Sequence, residues 1–209
     1  MRPIRLTMQA FGAYREQTKL DFGELGGRSF FLIHGPTGSG KTTILDAICF
    51  ALYGETSGDA RAAKTVRSDF ADDKTRTYVD FTFAVRDDVY RVERSPEQER
   101  AKMRGTGTML EKPQATLWRV EESGEKVVAS GAKNVTEAVE AMLGFECSQF
   151  RQVVLLPQGE FRKLLLAGSV ERQDIMQTLF RTELYELIEQ KLKEKARKRA
   201  ILKGRQRLC

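Results

Sequence analysis

Gly35-Pro36-Thr37-Gly38-Ser39-Gly40-Lys41-Thr42, followed by Thr43, is the stretch on which the fold turns. A triphosphate carries several negative charges, and a glycine-rich turn lets consecutive backbone N–H groups converge because no Cβ blocks the approach. Gly38 and Gly40 permit such a turn, Lys41 would reach the β- and γ-phosphates, and the Thr42 hydroxyl would hold Mg²⁺. Upstream, residues 29–34 read as a buried strand of mostly apolar residues. Downstream, residues 43–53 are apolar on almost every face, as expected of a helix packed on several sides, and Gly54 supplies its stop. Strand, glycine loop and buried helix come in the order that an α/β P-loop fold requires. His34, the single histidine, closes the strand and reads as structural.

Residues 4–8 and 18–22 look like strands bracketing a turn at Gly12. Two further hairpins are predicted, residues 78–85 with 89–94 around Asp87-Asp88, and residues 115–120 with 126–128 around Ser123-Gly124. These form an antiparallel side sheet. The polar segment 95–113 between them is expected to be a mobile loop. Residues 134–143 make an amphipathic helix stopped by Gly144, and a second helix should run from Ser148 towards Leu155 before Pro157. Residues 1–168 are therefore assigned to the nucleotide-binding part and residues 169–209 to a long helix. In the latter Tyr185, Ile188 and Leu192 start an apolar seam that turns charged at Lys195 and Arg199. A helix leaving the globular body towards a coiled coil and a solvated helix packed on its own domain both fit that pattern.

Lys and Arg outnumber Asp and Glu by 35 to 29, a net charge of +6 that suits a nucleic-acid partner without requiring one. Cys49, Cys147 and Cys209 are widely spaced and lack a CxxC pair, so neither a disulfide framework nor a zinc site is indicated, and Cys49 reads as a small core residue. The chain contains no apolar run long enough to cross a bilayer and no signal-peptide order, so a cytoplasmic protein with no membrane partner is expected. With one histidine a His-rich metal centre is excluded, and because that residue is read as structural no Ser/His/Asp or Cys/His nucleophile arrangement is expected. A Walker B strand ending in an acid is missing too. Tyr78-Val79-Asp80 and residues 117–122 are too short or too polar, and their acids are expected on the wet face of the side sheet.

Several motifs taken together closely resemble the bacterial SbcC family. They are Met1-Arg2-Pro3-Ile4-Arg5-Leu6, Ala10-Phe11-Gly12-Ala13-Tyr14, the glycine loop, Leu45-Asp46-Ala47-Ile48, Ala51-Leu52-Tyr53-Gly54, and Val154-Leu155-Leu156-Pro157-Gln158-Gly159-Glu160-Phe161. SbcC proteins are the ATPase subunits of SbcCD exonucleases and belong with the SMC-like, ABC-type ATPases of DNA double-strand break repair. The resemblance implies an ABC-type half-head that carries Walker A and the Q-loop. The signature motif, Walker B, D-loop and switch histidine would lie in a C-terminal half joined through an antiparallel coiled coil. Glu24-Leu25-Gly26-Gly27 is similar to a signature motif but lacks its serine and precedes Walker A, so it is taken as a turn.

By the same resemblance Gln158 is the Q-loop glutamine, joining Thr42 around Mg²⁺ and sensing the γ-phosphate, so that Lys41 and Gln158 are the catalytic candidates. Lys64-Thr65-Val66-Arg67 occupies the place of a nucleotide-contacting segment, which makes Thr65 and Val66 candidates. Gly12-Ala13-Tyr14 stands where some relatives carry an arginine. ATP and Mg²⁺ are the implied ligands. The implied partners are the C-terminal ATPase half, a second head in an ATP-dependent dimer, the SbcD nuclease and double-stranded DNA, in a nucleoid-associated setting. The fragment alone is expected to hydrolyse ATP negligibly. The rival readings are a chromosome-tethering SMC-type ATPase without a nuclease and the ATP subunit of a transporter.

Overall fold

The computed structural model describes residues 1–26, 28, 31–56, 66–72, 74–101, 108–151, 168, 188–189 and 191–195. The chain divides into two units, Met1–Arg151 and Gln152–Cys209.

In the first unit, strands with alternating apolar and polar residues pair into one antiparallel sheet. β1 (Arg2–Gln9), β2 (Thr18–Asp21), β3 (Tyr78–Val85), β4 (Asp88–Ser95), β7 (Gln114–Glu121) and β8 (Gly124–Ser130) lie in the order β2-β1-β3-β4-β7-β8. The register sets Leu6 opposite Phe81, Phe81 opposite Val92 and Val92 opposite Leu117. All four side chains are fully buried, forming a continuous apolar row across the sheet. Burying each is worth about 1.5–3 kcal/mol, so this row fixes the register: a one-residue slip would turn it to solvent.

Helix α1 (Lys41–Tyr53) is clad in apolar residues and buries Ile44, Ala47, Ile48 and Cys49 through Tyr53. The Phe11 and Phe50 rings meet at 5.5 Å, which ties the end of β1 to this helix. α2 (Ala132–Leu143) turns Val135 and Val139, one helical turn apart, into the core and ends on Gly144 in the left-handed conformation. α3 (Cys147–Phe150) is a single turn opened by a capping box of Glu146 and Gln149. The Glu24-Leu25-Gly26 stretch is a turn, as expected: a 3₁₀ helix over Phe22–Leu25, with Asp21 accepting from Gly23 N.

Three expectations need correction. Residues 31–34 form no strand, and Phe31, Leu32 and Ile33 are exposed. An apolar stretch becomes a strand only beside another strand edge, and none of the described strands reaches it. The segment 95–113 is not simply a loop. β5 (Gln98–Ala101) and β6 (Thr108–Glu111) pair within it, and Gln98 exchanges hydrogen bonds with both the N–H (2.7 Å) and the carbonyl (3.2 Å) of Thr77. Asp80 is buried at 7% exposure rather than wet, because Arg91 lies across it at 2.6 Å while its guanidinium stacks 4.9 Å over the Trp118 ring.

The second unit is described at Gly168 and at residues 188–189 and 191–195, the latter two groups helical, with Glu189 and Lys193 paired one turn apart. Among the described residues no helix is long and apolar enough to cross a membrane.

Candidate phosphate-binding site

Residues 35–39 form an exposed turn, with Ser39 N donating to Pro36 O at 3.2 Å. Gly40 sits at φ 84°, a left-handed conformation that L side chains rarely adopt, and a Cβ there would meet the Tyr14 ring at 3.1 Å. Gly40 is also the N-cap of α1 and has no side-chain oxygen to offer, so no side chain caps the first-turn N–H groups and no acidic residue stands in that turn. The helix therefore presents its positive end and orphan amides to whatever lies at the loop.

Lys41 completes the cradle. Its ammonium donates to Gly35 O and Pro36 O, both at 2.8 Å, and approaches Ser39 Oγ at 3.5 Å. The cation is thus stretched over the mouth of the turn instead of trailing into solvent. Pro36, Thr37, Gly38 and Ser39 are exposed around it. Thr42 is exposed at the first turn, whereas its neighbour Thr43 is buried. Charge, amides and an accessible hydroxyl converge at one helix end, an arrangement that suits a polyphosphate with a divalent cation.

Contacts that motif reading does not reveal hold this geometry. Tyr14 donates from its hydroxyl to Gly40 O at 3.4 Å, and burial raises its pKa above the ordinary value. Phe11 and Tyr14 bridge each other, Gly12 N donates to Val66 O at 2.8 Å, and Ser68 N donates to Ala10 O at 2.8 Å. The turn after β1 is thereby clamped between the phosphate loop and the 66–68 segment. The adjacency of Ala10 to Tyr14 with that segment depends on long-range pairing, and spacing carries no signal for it.

Arg94 secures the other end of α1. It is 4% exposed and donates to Ala51 O and Leu52 O, each at 3.1 Å, to Ala132 O at 3.3 Å and to Thr136 Oγ1 at 3.1 Å. Burial pushes its pKa down to about 10, so it stays charged near neutrality and neutralises the carbonyl end of the helix. Tyr53 reinforces the contact by donating to Phe145 O at 3.0 Å and meeting the Phe150 ring at 5.3 Å.

Val66 is buried at 2% exposure with its carbonyl engaged by Gly12. Its neighbour Arg67 folds onto Thr75 O at 2.7 Å, Thr77 Oγ1 at 2.8 Å and Asp72 O at 2.8 Å. Thr65 and Gln158 lie outside the described residues. No group of His, Cys, Asp and Glu able to hold a metal is present among the described residues.

A protein-family model described as an AAA domain matches residues 5–208. Over 94% of its length the chain is 44% identical to the SbcC component of the SbcCD nuclease of Vibrio cholerae, of which it covers 19%. Over 93% of its length it is 38% identical to the protein of that name from Staphylococcus saprophyticus, again covering 19% of it. The Lactococcus lactis protein gives 39% identity with the same coverage of each chain. The chain thus spans about a fifth of the length of these relatives. The likeness to SbcC carried by the motifs is borne out.

Proposed function

This chain belongs to the AAA domain family, and from that premise we propose that it is the ATP-binding N-terminal part of the ATPase subunit of an SbcCD-type nuclease. The observation that carries the proposal is the uncapped amide end of α1 at Gly40 with the Lys41 ammonium held across the turn.

The residues fit a Mg²⁺-bound triphosphate. Amides from Gly38 to Thr43 would take the β-phosphate, Lys41 would span the β- and γ-phosphates, and Thr42, with Gln158, would hold the metal. Mg²⁺ would neutralise charge that develops between the β- and γ-phosphates. Pro36 and Thr37 bound the mouth of the loop. Thr65 would lie beside the nucleotide, and Val66 would serve through its backbone and its support of Gly12, since its side chain is buried. The chain supplies position and positive charge, whereas the acid that orients water would come from a C-terminal half of the same protein.

That half would also complete the sheet. Phe22, Leu25, Phe31, Leu32, Ile33 and Ile44 line a cavity of about 600 Å³, and Leu32 is 83% exposed, so an apolar segment and a surface beside it stand ready for strands from elsewhere. The chain covers 19% of the Vibrio cholerae relative, which leaves most of that protein's length outside the match. In the whole protein two such heads would close around ATP and control access of DNA to the SbcD nuclease. Residues 169–209 would form the root of the coiled coil, and Arg197, Lys198 and Arg199 would contact DNA phosphates.

Mixing this chain with its C-terminal counterpart tests the proposal. ATP turnover should emerge only in the mixture and rise with duplex DNA, and a metal-dependent nuclease should co-purify through the root helix. Turnover by the isolated chain equal to that of the mixture would refute the division of labour. Failure to capture a nuclease would favour a chromosome-tethering role instead.

A further inference from the structure

The sulfurs of Cys49 and Cys147 stand 3.7 Å apart although 98 residues separate them in sequence. Cys49 is fully buried in α1, the helix that begins at Lys41, and Cys147, 8% exposed, opens α3. Neither thiol has a part in phosphate binding. We propose that these two cysteines form a peroxide-oxidisable pair that closes into a disulfide, stapling the phosphate-loop helix to the turn over residues 147–150.

Three observations support the pairing. A disulfide needs its sulfurs at about 2.05 Å, so closure from 3.7 Å asks for an approach of about 1.7 Å, within reach of side-chain rotation and a small helix shift. The hydrogen bond shared with Cys147 lowers the pKa of Cys49, burial opposes that shift and Arg151 adds to it, whereas the same bond and burial raise the pKa of Cys147. Arg151 is in turn anchored by Glu55 at 3.0 Å, which keeps the guanidinium beside the sulfurs.

The chemistry balances with hydrogen peroxide as oxidant. The thiolate of one cysteine attacks one peroxide oxygen, the O–O bond breaks, and its sulfenic acid and hydroxide form. The sulfur of the second cysteine then attacks the oxidised sulfur. The S–O bond breaks as the S–S bond forms, and the hydroxyl leaves as water with the second thiol's proton. Overall two thiols lose two hydrogens and the peroxide is reduced to two waters.

Peptide mapping of the full-length protein tests this. After peroxide treatment, unfolding in an alkylating agent and digestion, the 49- and 147-containing peptides should appear joined, two hydrogens lighter than their sum, and should separate with dithiothreitol. In Cys147→Ser and in Cys49→Ser, each unfolded in dimedone after peroxide treatment, the remaining cysteine of the pair should be trapped as its sulfenic acid. The wild-type map needs no variant to fold. The proposal fails if peroxide leaves both cysteines alkylatable, takes them to sulfinic acids without a link, or joins either to another cysteine. It fails equally if neither single variant shows an adduct at its remaining cysteine.

Discussion

A Cβ on Gly12 would stand 2.5 Å from Thr43 Cγ2, so the turn after β1 and the first helical turn behind the phosphate loop are in direct contact. Gly12 also holds a left-handed φ of 54°. Gly12→Ala should therefore cost about 2–3 kcal/mol from backbone strain and the clash together. A denaturant midpoint should fall with an unchanged slope, and affinity for MgATP should fall with it.

Arg94→Met keeps the bulk of the side chain but removes the donors that satisfy Ala51, Leu52 and Ala132 carbonyls. Buried acceptors left without partners predict a loss of about 3 kcal/mol. Hydrogen exchange should show the amides of the last turn of α1 losing protection before those of β3. Equal stability of variant and parent would show that the carbonyls find other partners.

Alkaline stability should depend on Tyr53. Burial, and then Cys147, Cys49 and Glu140, raise its pKa above the ordinary phenol value. The unfolded chain therefore releases this proton at lower pH than the folded one. The contribution is complete below about pH 10, the unfolded value, and is lost as pH rises above it. Tyr53→Phe should melt about 1 kcal/mol less stably at neutral pH through loss of the bond to Phe145 O, and should lose part of the parent's decline above pH 10. Melting curves across that range measure both.

Leu32 is 83% exposed, so Leu32→Glu should change the stability of this chain by no more than about 0.5 kcal/mol. The same change should abolish association with the C-terminal half, read by co-purification. Retained association would place that partner elsewhere.

The glycine loop, the helix behind it and the hairpins were legible because their signals are local. Gly40 needs a left-handed backbone, α1 is apolar on most faces, and Leu6, Phe81, Val92 and Leu117 alternate with polar neighbours. Residues 31–34 misled because an apolar run reports a wish for burial, not the presence of a strand to pair with. Asp80 misled for a related reason: alternation placed it opposite the core, and only the cross-strand partner Arg91 decides that it is covered. The Tyr14–Gly40 contact, the role of Arg94 and the Cys49–Cys147 contact were silent in the sequence, since each joins segments brought together by tertiary pairing. The long polar segment 95–113 hid a hairpin because Gln98 is fixed by Thr77, far away in the chain.

The most direct measurement is calorimetric titration of MgATP into the parent chain and Lys41→Ala. A lysine that grips the phosphates predicts at least roughly a tenfold weaker dissociation constant for the variant, a loss of about 1.4 kcal/mol or more, with folding retained by circular dichroism. Unchanged affinity in a folded Lys41→Ala chain would contradict it.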